Sequence, residues 1–206
     1  MQPAQRGLRV LIIGLTGGIG AGKTEVTHVL RELGAVVIES DKVAHSSYEP
    51  GTEAHDEIVS RFGEDVVDES GFIDRKSLGS IVFSDPIRRL ELEEIVWPAT
   101  RKRTLALLKE EDERGTKVVV VEVPKLFESG WDHIADSVWT VEAPSGEIGK
   151  RVKQRSGLDQ SDTDSRVAAQ LTRDERVEKS EIVIENDGTL DELRDQISKL
   201  WESISK

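Results

Sequence analysis

An α/β fold, with one parallel sheet of about five strands covered by helices, is what this 206-residue sequence predicts. Three observations carry that expectation. Short runs rich in valine and isoleucine, each of strand length, alternate along the chain with stretches of helical periodicity. The first run is followed by a glycine-dense loop, an amphipathic helix and a second run, a βαβ unit whose crossover makes its strands parallel. No internal repeat or low-complexity linker interrupts the alternation, and the length suits one domain with a modest insertion.

Residues 9–15 form a β-branched run bounded by glycines and read as a strand buried on both faces. From Lys23 to Leu33 the apolar residues Val26, Val29, Leu30 and Leu33 fall at i, i+3, i+4 and i+7, with Gly34 as the stop signal. Ala35 to Ile38 gives a second short strand. Between about Thr52 and Gly115 the sequence is helical in pattern, with Asp85-Pro86 as an N-cap and first-position proline, so residues 51–115 read as a helical insertion. Strand character returns at Lys117–Val123, Ser137–Val141 and Glu181–Glu185. Thr189-x-x-Glu192 then matches a capping box and opens an amphipathic helix through Leu193, Ile197 and Leu200. Residues 9–50 and 116–204 thus read as the sheet-bearing core.

Composition narrows the function. There are 28 Lys+Arg against 40 Asp+Glu, a net charge of −12, which argues against a general affinity for nucleic acid or for an anionic membrane. With no cysteine, disulfides, thiolate metal sites and cysteine nucleophiles are excluded. The early apolar stretch is broken by Gly14, Gly17, Gly18 and Lys23, so it reads as neither a signal segment nor a membrane span, and a cytoplasmic protein is expected.

The chemistry begins at Gly17-Gly18-Ile19-Gly20-Ala21-Gly22-Lys23-Thr24, which fits the phosphate-loop pattern of glycine, four residues, glycine, lysine, serine or threonine. Placed between a strand and a helix, the pattern aims backbone N–H groups and a helix N-terminus at a phosphate. Lys23 is expected on the β- and γ-phosphates, with Glu25 in the same first turn, and the Thr24 hydroxyl on Mg²⁺. The loop alone suits a kinase, a GTPase or a motor ATPase. Asp41, just past the second strand, is placed to accept a proton from an attacking hydroxyl, and reads equally as the N-cap of a following helix. Glu122 closes the valine strand where a carboxylate holds Mg²⁺ or its water. Lys150 to Arg155 packs four cations into six residues, with Arg151 and Arg155 at i, i+4; they read as phosphoryl-binding arginines of a lid at about 145–175, or as a solvated helix face. Arg101-Lys102-Arg103 is a further candidate for a positive field, while the acidic run Glu110 to Glu113 is expected on a remote solvated face. His45, Tyr48 and His55 read as substrate-contacting or as surface, with no spacing that implies a transition-metal site.

Taken in order, the loop Gly14-Leu15-Thr16-Gly17-Gly18-Ile19-Gly20, Leu33-Gly34-Ala35 to Asp41, Phe62-Gly63, and Asp68 to Arg75 resemble the dephospho-coenzyme A kinases. So do Val82-Phe83, Pro124-x-Leu126-Phe127-Glu128, Arg151 with Arg155, Arg166-Val-Ala-Ala-Gln170 and Val183-Ile184-Glu185-Asn186. The resemblance runs from about residue 9 to 200. It implies a P-loop kinase fold with a five-stranded parallel core, a helical insertion that binds the coenzyme A moiety, and a lid. It implies ATP and dephospho-coenzyme A as substrates, Mg²⁺ with the ATP, and phosphorylation of the ribose 3′-hydroxyl to give coenzyme A and ADP. By matching position it makes Asp41 the base, Lys23 the phosphate lysine, Arg151 a lid arginine and Asn186 part of the adenine side. Trp97-Pro98 stands where the family usually has His-Pro, and Lys125 where it has leucine. A P-loop kinase for another nucleoside or nucleotide acceptor, and a non-catalytic nucleotide-binding regulator, are the competing readings.

Overall fold

The computed structural model describes residues 9–144 and 170–204. Two compact units emerge: one formed by the chain up to Ile38 and from Glu111 onward, the other by Glu39–Glu110. In the first, β1 (Leu11–Gly17), β2 (Val36–Glu39), β3 (Val118–Glu122), β4 (Ser137–Glu142) and β5 (Ile182–Glu185) are joined in one five-stranded sheet of order β2-β3-β1-β4-β5. β3 and β4 flank β1 in parallel, with Leu11 opposite Val118 and Gly17 opposite Val141, and β5 continues in parallel beyond β4. β1 is therefore the centre of the sheet: the connection that leaves it runs toward the β2 edge, and the one that leaves its neighbour β3 runs toward the β5 edge. Ligands of open α/β sheets bind at such a switch point, beyond the carboxyl ends of the strands.

The first strand starts and ends two residues later than its periodicity suggests. Gly14 and Gly17 interrupt the apolar run in the sequence, yet the sheet needs them there. A Cβ on Gly14 would come within 2.8 Å of the buried Leu126 side chain, and one on Gly17 within 2.3 Å of the Val141 carbonyl. Helices α1 (Lys23–Glu32) and α7 (Leu190–Ile204) cover the sheet through Val26, Leu30, Leu193 and Ile197, packed on Ile13, Leu15, Trp139, Val141 and Ile184. The capping box expected for α7 forms in both directions: the Thr189 backbone N–H donates to Glu192 at 2.7 Å and the Glu192 N–H to the Thr189 hydroxyl at 3.3 Å. A second capping box, Thr172 with Glu175, opens α6 (Arg173–Lys179).

The acidic run at the end of the insertion departs from expectation. Rather than facing solvent alone, Asp112 accepts hydrogen bonds from the Arg9 and Val10 N–H groups at 2.6 and 2.9 Å, and Glu111 accepts one from the Thr116 hydroxyl at 2.6 Å. Backbone donors just ahead of a strand have no ladder partner, and the Asp112 carboxylate supplies one.

The second unit is helical. It contains α2 (Ser40–Ser47), α3 (Glu53–Phe62), α4 (Arg75–Ser84) and most of α5 (Pro86–Glu113), with an isolated antiparallel bridge between Val67 and Ile73. Asp85 caps α5 by accepting from the Ile87 N–H at 2.8 Å, ahead of Pro86 in the first turn. Ile58, Phe62, Val66, Leu78 and Ile95 make a core of their own. Among the described residues no helix is long and apolar enough to cross a membrane.

Candidate functional site

The glycine loop leaves the carboxyl end of β1 and runs directly into α1, with Gly22 at the helix N-cap. Its φ of 104° lies in the left-handed region, and a Cβ there would sit 2.1 Å from the Asn186 side-chain nitrogen, so both backbone and space require glycine. No side-chain hydrogen bond caps α1 at Gly22, and the N-terminus of a helix suits an anion. Lys23 folds back over the loop, its ammonium donating to the Gly17 carbonyl at 2.8 Å and the Gly18 carbonyl at 3.1 Å. Such an arrangement makes a cradle for the oxygens of a polyphosphate, with a cation at its lip.

Asn186 follows β5 and is buried; its side-chain nitrogen donates to the Ala21 carbonyl at 2.8 Å. It therefore braces the rear of the loop as well as marking the side where the resemblance places adenine. Glu122 is the last residue of β3, opposite Leu15 of β1, and Thr24 stands in the first turn of α1. Their donor set, one hydroxyl and one carboxylate, is oxygen only and fits a hard divalent cation such as Mg²⁺. Glu25 occupies the same first turn, where its negative charge suits the helix dipole. Arg151, Arg155 and most of the expected lid lie outside the described residues.

In the helical unit, α2 begins at Ser40 with Glu39 at its N-cap and no side-chain capping bond. The capping alternative for Asp41 is thereby removed: it is an exposed first-turn residue. One turn on, His45 meets Arg75, whose guanidinium lies 2.8 Å from Nδ1, and packs edge-on against Tyr48. Burial first, and then the Arg75 charge, hold the His45 imidazole below its ordinary pKa, while Asp41 pulls the other way. His55 instead bonds the Gly71 carbonyl at 2.9 Å, a structural contact that ties α3 to the following turn. Lys102 and Arg103 form exposed ion pairs with Glu53 and Glu110. Trp97 and Lys125 are both exposed.

Sequence reasoning missed a buried charge pair beside the loop. Arg176 on α6 grips Glu142, the last residue of β4, with Nε to Oε1 at 2.7 Å and Nη2 to Oε2 at 2.8 Å. The Thr140 hydroxyl adds a third bond to Glu142 at 2.8 Å, and Arg176 also donates to the Leu171 carbonyl. A Cβ on Gly18 would lie 3.1 Å from Arg176 Nη2, so the guanidinium abuts the loop. Glu142 had a readable signal, an acid closing a strand beside the loop strand, the same reasoning that selected Glu122. Arg176 had none, because nothing local distinguishes it from the exposed arginines of an acidic protein.

A family model described as dephospho-CoA kinase matches residues 11–192. The chain belongs to the dephospho-CoA kinase family. The dephospho-CoA kinase of Symbiobacterium thermophilum is 42% identical over 192 residues, covering 93% of this chain and 80% of that protein. A crystal structure from Thermus thermophilus superposes with a TM-score of 0.79 at 36% identity, covering 95% of this chain and 98% of that one. The dephospho-CoA kinase from Campylobacter jejuni gives 0.67 at 25% identity, over 94% and 96%. Within the dephospho-CoA kinase family, the segment Pro124 to Glu128 gains a physical account from this structure. Pro124 offers its carbonyl to Thr16 and Gln170, Leu126 fills the space over Gly14, and Glu128 takes the Leu171 N–H at 2.8 Å.

Proposed function

We propose that this kinase transfers the γ-phosphoryl group of ATP to the ribose 3′-hydroxyl of dephospho-coenzyme A, releasing ADP and coenzyme A. The family match across residues 11–192 carries this reading. The triphosphate lies in the loop from Gly17 to Thr24, met by the backbone N–H groups and the Lys23 ammonium. Asp41 takes the proton of the 3′-hydroxyl as its oxygen forms the new bond to the γ-phosphorus. The bond from that phosphorus to the β,γ-bridging oxygen breaks, and the electron pair leaves with ADP. Thr24 and Glu122 are assigned to hold Mg²⁺, which when bound supplies charge neutralisation on the phosphoryl oxygens. Arg151 and Arg155 are assigned to the same negative charge, and the helical stretch 51–115 to the acceptor. Positioning and electrostatics supply most of the rate, because phosphoryl transfer asks little covalent chemistry of the protein. A cytoplasmic setting, where ATP is available, completes the proposal.

An ADP-release assay across acceptors tests the reading. Turnover with dephospho-coenzyme A well above that with nucleosides and nucleoside monophosphates is expected. Clear activity on one of those beside none on dephospho-coenzyme A would overturn the acceptor, and ATP binding without turnover of any acceptor would favour a regulator.

A further inference from the structure

Gln170 is joined at both ends of its carboxamide. Its oxygen accepts from the Ile19 N–H of the phosphate loop at 3.0 Å, and its nitrogen donates to the Pro124 carbonyl, also at 3.0 Å. A carboxamide carries a donor and an acceptor on one carbon, whereas neither a carboxylate nor an apolar side chain can make both bonds. The two backbone groups it joins belong to the two halves of the phosphate site. Ile19 lies in the front of the loop, while Pro124 stands two residues beyond Glu122 at the exit of β3. Gln170 is itself held from behind, since the Leu171 N–H bonds Glu128 and the Leu171 carbonyl receives Arg176.

We propose that Gln170 is a positioning residue for the nucleotide. It sets the spacing between the phosphate loop and the β3 exit, and it withdraws the Ile19 N–H from the ligand. The phosphate oxygens are thereby left to the amides further along the loop and to Lys23. Without the bridge, the loop front is free to turn the Ile19 N–H outward, and ATP binding weakens while the acceptor side is untouched. The inference rests on the kinase reading above.

Gln170→Leu and the near-isosteric Gln170→Glu test it in the full chain, by steady-state kinetics in both substrates and calorimetric titration with ADP. Losing both bonds in the leucine variant is expected to raise the ATP KM and the ADP Kd about tenfold, the usual scale for orphaning a polar group. The dephospho-coenzyme A KM should stay within twofold. The glutamate variant keeps an acceptor for Ile19, loses the donor to Pro124 and adds negative charge beside a polyanion, so its nucleotide loss should be larger. If the leucine variant does not fold, Gln170→Met, which loses both bonds in an unbranched side chain of similar length, decides. ATP KM and ADP Kd within twofold of wild type would reduce Gln170 to a loop strap and overturn the proposal, as would the two substrate KM values rising in step. Wild-type protein that turns over no dephospho-coenzyme A would instead refute the kinase reading, and the ADP titrations would still decide the role of Gln170.

Discussion

Removing Arg176 is the sharpest perturbation of stability that the structure offers. Its side chain is 9% exposed and that of Glu142 3%, so the ion pair is almost dry. In Arg176→Met, the Glu142 carboxylate keeps, among the described residues, the Thr140 hydroxyl alone, and an uncompensated buried carboxylate costs about 3–5 kcal/mol. For a chain of this length each kcal/mol moves the midpoint of thermal unfolding by about 2–4 °C. A fall of roughly 6–20 °C is therefore expected by calorimetry or circular dichroism. The double variant Arg176→Met/Glu142→Met removes both charges and fills the space with apolar volume. It strands the Thr140 hydroxyl, at about 1 kcal/mol, and shares with the single variant the loss of the donor to the Leu171 carbonyl, so it should recover most of the loss. The cycle thus reads out a large coupling between the two sites. A double variant as unstable as the single one would refute the reasoning, because the cost would then lie in shape or in the bond to Leu171 rather than in the orphaned charge. A single variant within about 1 kcal/mol of wild type would refute it equally.

The remaining predictions concern the reaction and the acid limb of stability. Lys23→Ala and Asp41→Asn should each lower kcat at least ~10²-fold with unfolding midpoints unchanged, as expected for losing a phosphate clamp or a general base; a wild-type rate in Asp41→Asn would remove Asp41 from the chemistry. Glu192 is held below its usual carboxylate range by the Thr189 backbone N–H first and the Thr189 hydroxyl second. A depressed folded pKa gives stability that is complete above the unfolded value near 4.5 and is lost as pH falls through the lower folded one. Glu192→Gln should therefore be less stable than wild type at neutral pH, with the gap closing as pH drops below 4.5, measured by urea unfolding across pH. Parallel curves would refute that assignment.

The parts of the fold legible in the sequence were those set by local physics. Valine runs, the Asp85-Pro86 start, the Thr189 capping box and the loop with its glycines are each decided within a few residues, and each element lies where its pattern put it. The first strand, expected at 9–15, lies at Leu11–Gly17, and the two glycines within it are required by Leu126 and Val141, more than a hundred positions away. Asp112 was misplaced for the same reason, since its partners lie at the other end of the chain segment, on Arg9 and Val10. The contacts around the phosphate loop divide along this line. Gly22 and Lys23 are readable from the motif, whereas Gln170, Arg176 and Asn186 reach the loop only through the order of the strands.

That division also sharpens what the net charge of −12 means for a protein that takes polyanionic substrates. Lys23 and Arg176 both reach the loop, but their charges do different work. Arg176 spends its hydrogen bonds on Glu142, so the pair is close to neutral as seen from the phosphate, and its rigidity rather than its charge acts on Gly18. Lys23 bonds the Gly17 and Gly18 carbonyls, and its charge adds to the field of the α1 N-terminus. A short-range field of that kind needs no basic surface. Beyond the Debye length of about 10 Å the many carboxylates are screened, so an acidic exterior and a phosphate-binding loop coexist without conflict. Placement of cations, more than their number, decides what such a surface can hold.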